Sequence, residues 1–227
     1  MNALWDQLAG AAGLKLSADQ HERLSRYLDL LLAGNRRMNL TRIDDRTSAE
    51  SAHVGDALTV LPYLPAGPHR LAEVGSGGGV PGMILAIARP DVEVTLIEST
   101  RKKAGFLRET AAALGLSNVR VLAERAEVLG RGDLRESFDV VVARALAAMD
   151  ALCEFCLPLV KVKGKLIAMK GPKVREELPR AEARLGALGG GAPAVHPAAI
   201  ADAENHVIIE IAKIAPTDRR YPRRQVR

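Results

Sequence analysis

The sequence predicts an α/β protein: a mostly parallel sheet covered by helices, with a helical cap in front of it. Before Pro62, apolar residues recur at helical steps. After Pro68, short Val/Ile-rich runs alternate with helical segments, as in a parallel sheet covered on both faces. Where the first such run meets its helix stands a glycine-rich turn, Gly75 to Gly82. With 227 residues, 48% apolar and only 3% aromatic, the chain can build a full core, and that core must be Leu, Val, Ile and Ala.

Each element has a local cause. Ser17 and Gln20 have the spacing of a capping box, and Leu24, Leu28 and Leu31 follow as one buried helix stripe. Residues 35–45 are polar and read as a connection; a second helix is expected from Thr47 or Ser48 to Leu61. Pro62, Pro65, Gly67 and Pro68 then break the chain, which sets the end of the cap at residue 67. Strands are expected at 71–74, 92–97, 119–123, 138–143, 164–169 and 207–211. Helices are expected at 81–88, 102–114, 149–160 and 176–188. The Ala/Gly/Pro-rich stretch 185–199 should lead through a loop into an edge strand before Val207. The domains read as 1–67 (cap), 68–215 (sheet domain) and 216–227 (basic tail).

Composition removes several classes. No uncharged stretch is free of Gly and Pro for the roughly 18 apolar residues a membrane span needs. The N-terminus lacks the basic start of a secretory signal. Cys153 and Cys156 have C-x-x-C spacing, but they fall in an apolar helical pattern with no second pair, so packed thiols in a reducing cytoplasm are expected and no metal. Charge is uneven: residues 1–160 hold 18 Lys/Arg against 20 Asp/Glu, residues 161–227 hold 14 against 7. The basic end suggests a polyanion partner, or a solubilising tail whose loss the fold would survive.

The glycine turn carries the most chemistry. Gly75-x-Gly77 between strand and helix lets a ligand approach the backbone beside a helix N-terminus, with Ser76 inside the turn. A dinucleotide fingerprint wants its third glycine three residues after the second; here Gly79 comes two after, and Val80 follows. Glu73 precedes the loop, and Glu98 ends the next strand, where a carboxylate can accept both hydroxyls of an adenosine ribose. After the third strand, residues 123–127 can line the adenine. Acids before and after such a loop suit the cationic sulfonium of S-adenosylmethionine; a nicotinamide cofactor or an empty turn stay as alternatives. No phosphate-loop G-x-x-x-x-G-K-[ST] occurs.

The acceptor is narrowed by what is missing. Residues 140–145 lack the Asn/Asp-Pro-Pro loop used on exocyclic amines, and neither cysteine has the preceding Pro expected of a nucleophile for pyrimidine carbon. A ring nitrogen with a free lone pair, such as guanine N7, needs neither device. Small-molecule acceptors would leave the same blank.

The chain resembles the bacterial small-subunit rRNA guanine-N7 methyltransferases, also called glucose-inhibited division protein B. The matching pieces begin with Asn39-Leu40-Thr41, His53-x-x-Asp56-x-Leu58 and the loop from Val74 to Gly82. They continue with Glu98-Ser99, Lys102-Lys103, Phe106-Leu107, Arg125-Ala126-Glu127, Arg144-Ala145, Lys170-Gly171 and Tyr221-Pro222-Arg223-Arg224. Glu73 stands where the family often has Asp, Val80 where it often has Phe, and Ala57 where it often has Ser.

The resemblance implies a Rossmann-like S-adenosylmethionine-dependent fold in a single polypeptide. It also implies methylation of a guanine in a 16S rRNA loop near the decoding site, on free rRNA or the small ribosomal subunit, by a cytoplasmic protein expected to be a monomer. It implies cofactor contact at Gly75, Val80, Ala126, Glu127 and Arg144. Asn39, His53, Asp56 and Lys170 become candidates for the substrate side, each with a plainer reading: a turn residue, a pair on one helix face, a strand-end cation. Arg223 and Arg224 are candidates for RNA contact or for a solvated tail. A methyltransferase for a small or protein acceptor predicts activity without RNA. A non-catalytic RNA-binding protein predicts cofactor binding without turnover.

Overall fold

The computed structural model describes residues 1–198 and 206–223. The N-terminal helices are α1 (Ala3–Ala11), capped by the Asn2 side chain, and α2 (Ala18–Met38). The capping box of α2 is made as expected: Ser17 Oγ accepts from Gln20 N at 3.2 Å, and Gln20 Oε1 accepts from Ser17 N at 2.8 Å.

The helix expected up to Leu61 is broken into pieces: α3 (Arg46–Ala49), a π-helical segment Glu50–Gly55, α4 (Asp56–Leu58) and a 3-10 turn Leu61–Tyr63. Side chains from distant parts of the chain reach its carbonyls. Trp5 Nε1 donates to Glu50 O at 3.1 Å, and Arg144 Nη1 donates to Ala52 O at 2.9 Å. Donors entering the ladder of a helix are a known cause of such irregularity.

The sheet follows: β1 (Arg70–Val74), α5 (Gly82–Ala88), β2 (Glu93–Ile97), α6 (Arg101–Ala113) and β3 (Val119–Leu122). Then come α7 (Ala126–Leu129), β4 (Phe138–Arg144), α8 (Met149–Cys156), β5 (Val160–Lys170), α9 (Val174–Leu188), β6 (Ala194–Pro197) and β7 (Val207–Ala212). The order is β3-β2-β1-β4-β5-β7-β6, with β1 to β5 parallel and β7 antiparallel to both its neighbours. The edge strand expected before Val207 is β6. The helix expected to reach Val160 stops at Cys156, because Pro158 lacks an N–H and the chain turns through Leu157–Leu159 into β5.

Side chains of the strands alternate between two cores. Leu71, Val140 and Val142 face α5, α6 and the N-terminal helices. Ala72, Val74, Val141 and Ala143 face α8 and α9. Leu24, Leu28 and Leu31 of α2 belong to one cluster with Ile84 and Leu85 of α5 and Leu107 of α6. The boundary expected after residue 67 is therefore a turn in the chain and not a break in the core. Gln20 Nε2 reinforces the join by donating to the carbonyls of Ile87 and Ala88 at the end of α5.

The tail corrects a second expectation. Thr217 is buried, and its N–H donates to Glu136 Oε1 at 2.6 Å. Arg135 donates to the carbonyls of Thr217 and Tyr221 at 2.6 and 2.7 Å. Lys213, fully buried, donates to Leu157 O and Thr217 Oγ1. Residues 213–223 thus close the end of the sheet where β4 and β5 begin. Cys153 and Cys156 are buried and unpaired, and burial pushes the Cys153 thiol up to about 12. Among the described residues no helix is long and apolar enough to cross a membrane.

Candidate active site

The strand order reverses at β1, whose carboxyl end has β2 on one side and β4 on the other. In an open parallel sheet this is where a crevice forms and ligands bind. A cleft of about 1130 Å³ lies there. Its walls are the glycine loop, the ends of β2, β4 and β5, residues 39–43 with Ala52, His53 and Asp56 of the cap, and residues 206–208 at the start of β7.

The loop takes the course its glycines allow. Gly77 has φ 52, a left-handed backbone, and a Cβ there would meet no side chain, so the wall is bare main chain at this point. Its N–H donates to Glu98 Oε2 at 2.9 Å, while Thr100 N donates to Oε1 at 2.7 Å. Glu98 is held with each oxygen accepting one bond, which leaves lone pairs for a ligand hydroxyl. Ser76 lines the cleft but turns its hydroxyl toward the carbonyls of Glu73 and Ile97. Gly75 and Val80 complete this wall, and Leu146 packs over Gly75. From behind, Tyr27 of α2 donates to Gly78 O at 2.9 Å.

Ala126 and Glu127, at the start of α7, are buried and are not among the residues lining the cleft. Glu73, read as an acid near the sulfonium, lies under the loop with 1% exposure and points toward α5, where a Cβ on Gly82 would meet its Oε2 at 2.6 Å. Among the described residues neither of its carboxylate oxygens has a partner in good hydrogen-bond geometry, and burial, outweighing the nearby Gly82 N–H and Ser76 hydroxyl, pushes its pKa up to about 8. Of the two acids that flank the loop in sequence, Glu98 is the one that reaches the cleft.

The opposite wall is an assembled cluster. Arg144, at the end of β4, donates through Nη1 to Asp56 Oδ2 at 2.9 Å and through Nη2 to His53 Nδ1 at 3.1 Å. His53 Nε2 lies 3.0 Å from Thr41 Oγ1. Burial, then the neighbouring Arg144 charge, lowers the His53 pKa to about 4, so the imidazole is neutral. Asn39 caps α2 with φ 50 and lines the cleft. Lys170 lines it too, but its ammonium is engaged by Glu177 at 2.6 Å and Ala147 O at 2.9 Å, which fastens the loop after β4.

Arg223 is elsewhere. It grips Glu154 of α8 with Nε at 2.8 Å and Nη2 at 2.6 Å, at the end of the sheet opposite the cleft. Glu154 is fully buried; burial alone would raise its pKa, but the bonds and charge of Arg223 outweigh this and hold it below the ordinary value. Its guanidinium neutralises a carboxylate of the core, while the side chain itself stays 44% exposed. Arg224 lies outside the described residues.

Sequence reasoning missed Asn35 and Tyr27. Asn35 Oδ1 accepts from Thr41 N at 2.9 Å and so shapes the cleft wall; an Asn in the last turn of α2 was the available signal.

A family model described as rRNA small subunit methyltransferase G matches residues 20–209. A protein of Roseiflexus sp. (strain RS-1) named Ribosomal RNA small subunit methyltransferase G is 43% identical over 216 residues, covering 95% of this chain and 92% of that protein. A Sorangium cellulosum protein of the same name is 49% identical over 178 residues, 78% of this chain and 74% of its own. The fold is shared with a crystal structure of a SAM dependent methyltransferase from Aquifex aeolicus. There the TM-score is 0.57 and the identity 17%, over 78% of this chain and 97% of that one.

Proposed function

The chain belongs to the rRNA small subunit methyltransferase G family, and from that premise we propose that it transfers a methyl group from S-adenosylmethionine to N7 of a guanine in small-subunit ribosomal RNA. The observation that carries this reading is the facing of two walls across one cleft. One wall is bare glycine backbone with a held carboxylate, Glu98; the other is the Arg144–His53–Asp56 cluster.

The cofactor fits the first wall. Glu98 keeps lone pairs for ribose hydroxyls, and no side chain rises from Gly77 into the space above the loop. When bound, S-adenosylmethionine supplies an electrophilic methyl group on a cationic sulfur. The second wall would place the base. Arg144, His53 and Asp56 are locked by one another, so they can hold a planar ring at near-attack distance without reorganising.

Support for N7 comes from the state of these groups. His53 has both ring nitrogens engaged and a pKa near 4, and Asp56 is paired with Arg144. An amine or hydroxyl acceptor would need a proton removed, and no member of the Arg144–His53–Asp56 cluster is free to take it. The N7 lone pair needs no proton removed. His206, which also lines the cleft with Nδ1 3.7 Å from Asp56 Oδ1, is the imidazole whose removal would separate the two readings.

For RNA we place the docking surface at the mouth of the cleft, in place of the tail. Arg36, Arg37 and Arg42 near the end of α2 and Arg101 and Lys102 at the start of α6 are exposed, and Lys103 lines the cleft. Lys102 Nζ donates to Arg37 O, which joins the two groups, and none of these cations has a carboxylate partner among the described residues. The base would be splayed from its stack to reach the cleft. A monomer acting in the cytoplasm completes the proposal.

The test is incubation with labelled S-adenosylmethionine and undermethylated small-subunit rRNA or particles, followed by nucleoside mass spectrometry. N7-methylguanosine is expected. Labelling of another atom, or cofactor binding with no turnover on any rRNA, overturns the reading.

A further inference from the structure

We propose that the Thr41 hydroxyl is a preset hydrogen-bond donor that reads the O6 carbonyl of the target guanine and so sets the choice of base. This rests on the N7 reading above and deepens it. The argument is one of hydrogen-bond polarity. A guanidinium can only donate. Arg144 Nη2 approaches His53 Nδ1 at 3.1 Å, so Nδ1 must present its lone pair. The Ala52 carbonyl also lies 3.2 Å from Nδ1, but a proton on Nδ1 would oppose the guanidinium N–H aimed at the same nitrogen. His53 is neutral, as its lowered pKa requires, so its one proton sits on Nε2 and is donated to Thr41 Oγ1 at 3.0 Å.

Thr41 Oγ1 also accepts from Ile43 N at 3.1 Å. A hydroxyl has two acceptor sites and one proton. Both acceptor sites are filled, so the proton is left to point away from them, and no group among the described residues accepts it. Asn35 fixes the Thr41 backbone, and Thr41 lines the cleft. The cluster therefore offers the cleft a hydroxyl that can give a hydrogen bond and cannot take another.

Purine chemistry makes that polarity selective. Next to N7, guanine carries the O6 acceptor, whereas adenine carries the N6 amino donor. Thr41 would pair with the first and oppose the second. Arg144 and His53 act here as positioning residues, since they set the proton on Thr41 through the ring.

The test uses the full chain and small-subunit rRNA assembled by ligation, with guanosine or 2-aminopurine riboside at the methylated position; the latter keeps N7 and lacks O6. Wild-type enzyme should lose about 10- to 100-fold in kcat/KM on 2-aminopurine, and Thr41→Val should lose a similar factor on guanosine. Thr41→Val should lose little more on 2-aminopurine, because the same bond is already gone, while Thr41→Ser recovers most of the rate. Cofactor affinity of each variant, by calorimetry, should stay within about threefold of wild type. An N7-methylguanosine product with wild-type enzyme equally fast on 2-aminopurine, or with the two losses multiplying, overturns the assignment of Thr41 alone. The first of these outcomes needs no variant and so does not depend on how Thr41→Val folds. A product methylated at another atom overturns the N7 reading, and this proposal with it.

Discussion

Arg144 and Asp56 stand 88 positions apart in the chain and meet at 2.9 Å, joining the end of a central strand to the start of α4 in the cap. Asp56 is 7% exposed in its side chain and Arg144 21%, so the pair is largely withdrawn from water. Arg144→Ala would leave Asp56 buried without its cation, a loss of about 3 kcal/mol in stability. Arg144→Lys would keep a charge but not the fork that spans Asp56, Ala52 and His53. Methyl transfer should fall by at least about 100-fold in Arg144→Lys, with a smaller change in thermal midpoint than in Arg144→Ala. Equal rates for Arg144→Lys and wild type would remove Arg144 from the site.

Glu98→Ala should weaken cofactor binding by about 1–3 kcal/mol, because ribose hydroxyls would lose a charged acceptor and Gly77 N–H its partner. Calorimetry on the folded variant checks this. Wild-type affinity would refute the assignment.

Removing residues after Pro216 deletes Thr217 and the partners of Arg135, Lys213 and Glu154. The truncated chain should therefore be less stable, contrary to what a solvated tail would give. Arg223→Ala alone should cost about 2 kcal/mol, less than a wholly buried pair because Arg223 is 44% exposed. Urea unfolding measures it. Changing Arg36, Arg37 and Lys102 to Ala should instead leave stability nearly unchanged and flatten the salt dependence of RNA binding, by about 0.7–0.9 in slope for each phosphate left without its cation.

Two buried groups give stability an opposite dependence on pH. His53 titrates near 4 when folded and near 6.5 when free, so the unfolded chain binds its proton more readily. Stability is lost as pH falls from about 6.5 to 4, and His53→Gln should blunt that loss. Glu73 titrates near 8 when folded and near 4.5 when free. Its contribution is fully present below about 4.5 and is lost as pH rises toward 8. The thermal midpoint of Glu73→Gln should thus gain on wild type between those values. A constant difference across the range would show that Glu73 stays ionised.

The glycine turn and Glu98 are legible in the sequence because they depend on spacing between neighbouring strands. Glu73 is harder to read, although β-strand alternation places it on the same face as Leu71, toward α5 and not the cleft. Arg223 looks like a free cation in the sequence because its partner, Glu154, lies 69 residues away. The signal for the pair is Glu154 itself, a carboxylate set among Leu152, Cys153 and Cys156 that needs a cation when buried. The π-helical segment has no local signature either, since Trp5 and Arg144 reach into it from distant parts of the chain.

The hold of Tyr27 on Gly78 also bears on how the protein is made. α2 leaves the ribosome well before the loop it supports, and its stripe of Leu24, Tyr27, Leu28 and Leu31 has no sheet to cover it until β1 acquires both neighbours, β2 and β4. Because β4 ends at Arg144, the nascent chain should stay protease-sensitive through most of its first 144 residues, then gain resistance in one step as the central strands close. Pulse proteolysis of stalled chains of increasing length would reveal that step, and an N-terminal unit already resistant at residue 67 would contradict it.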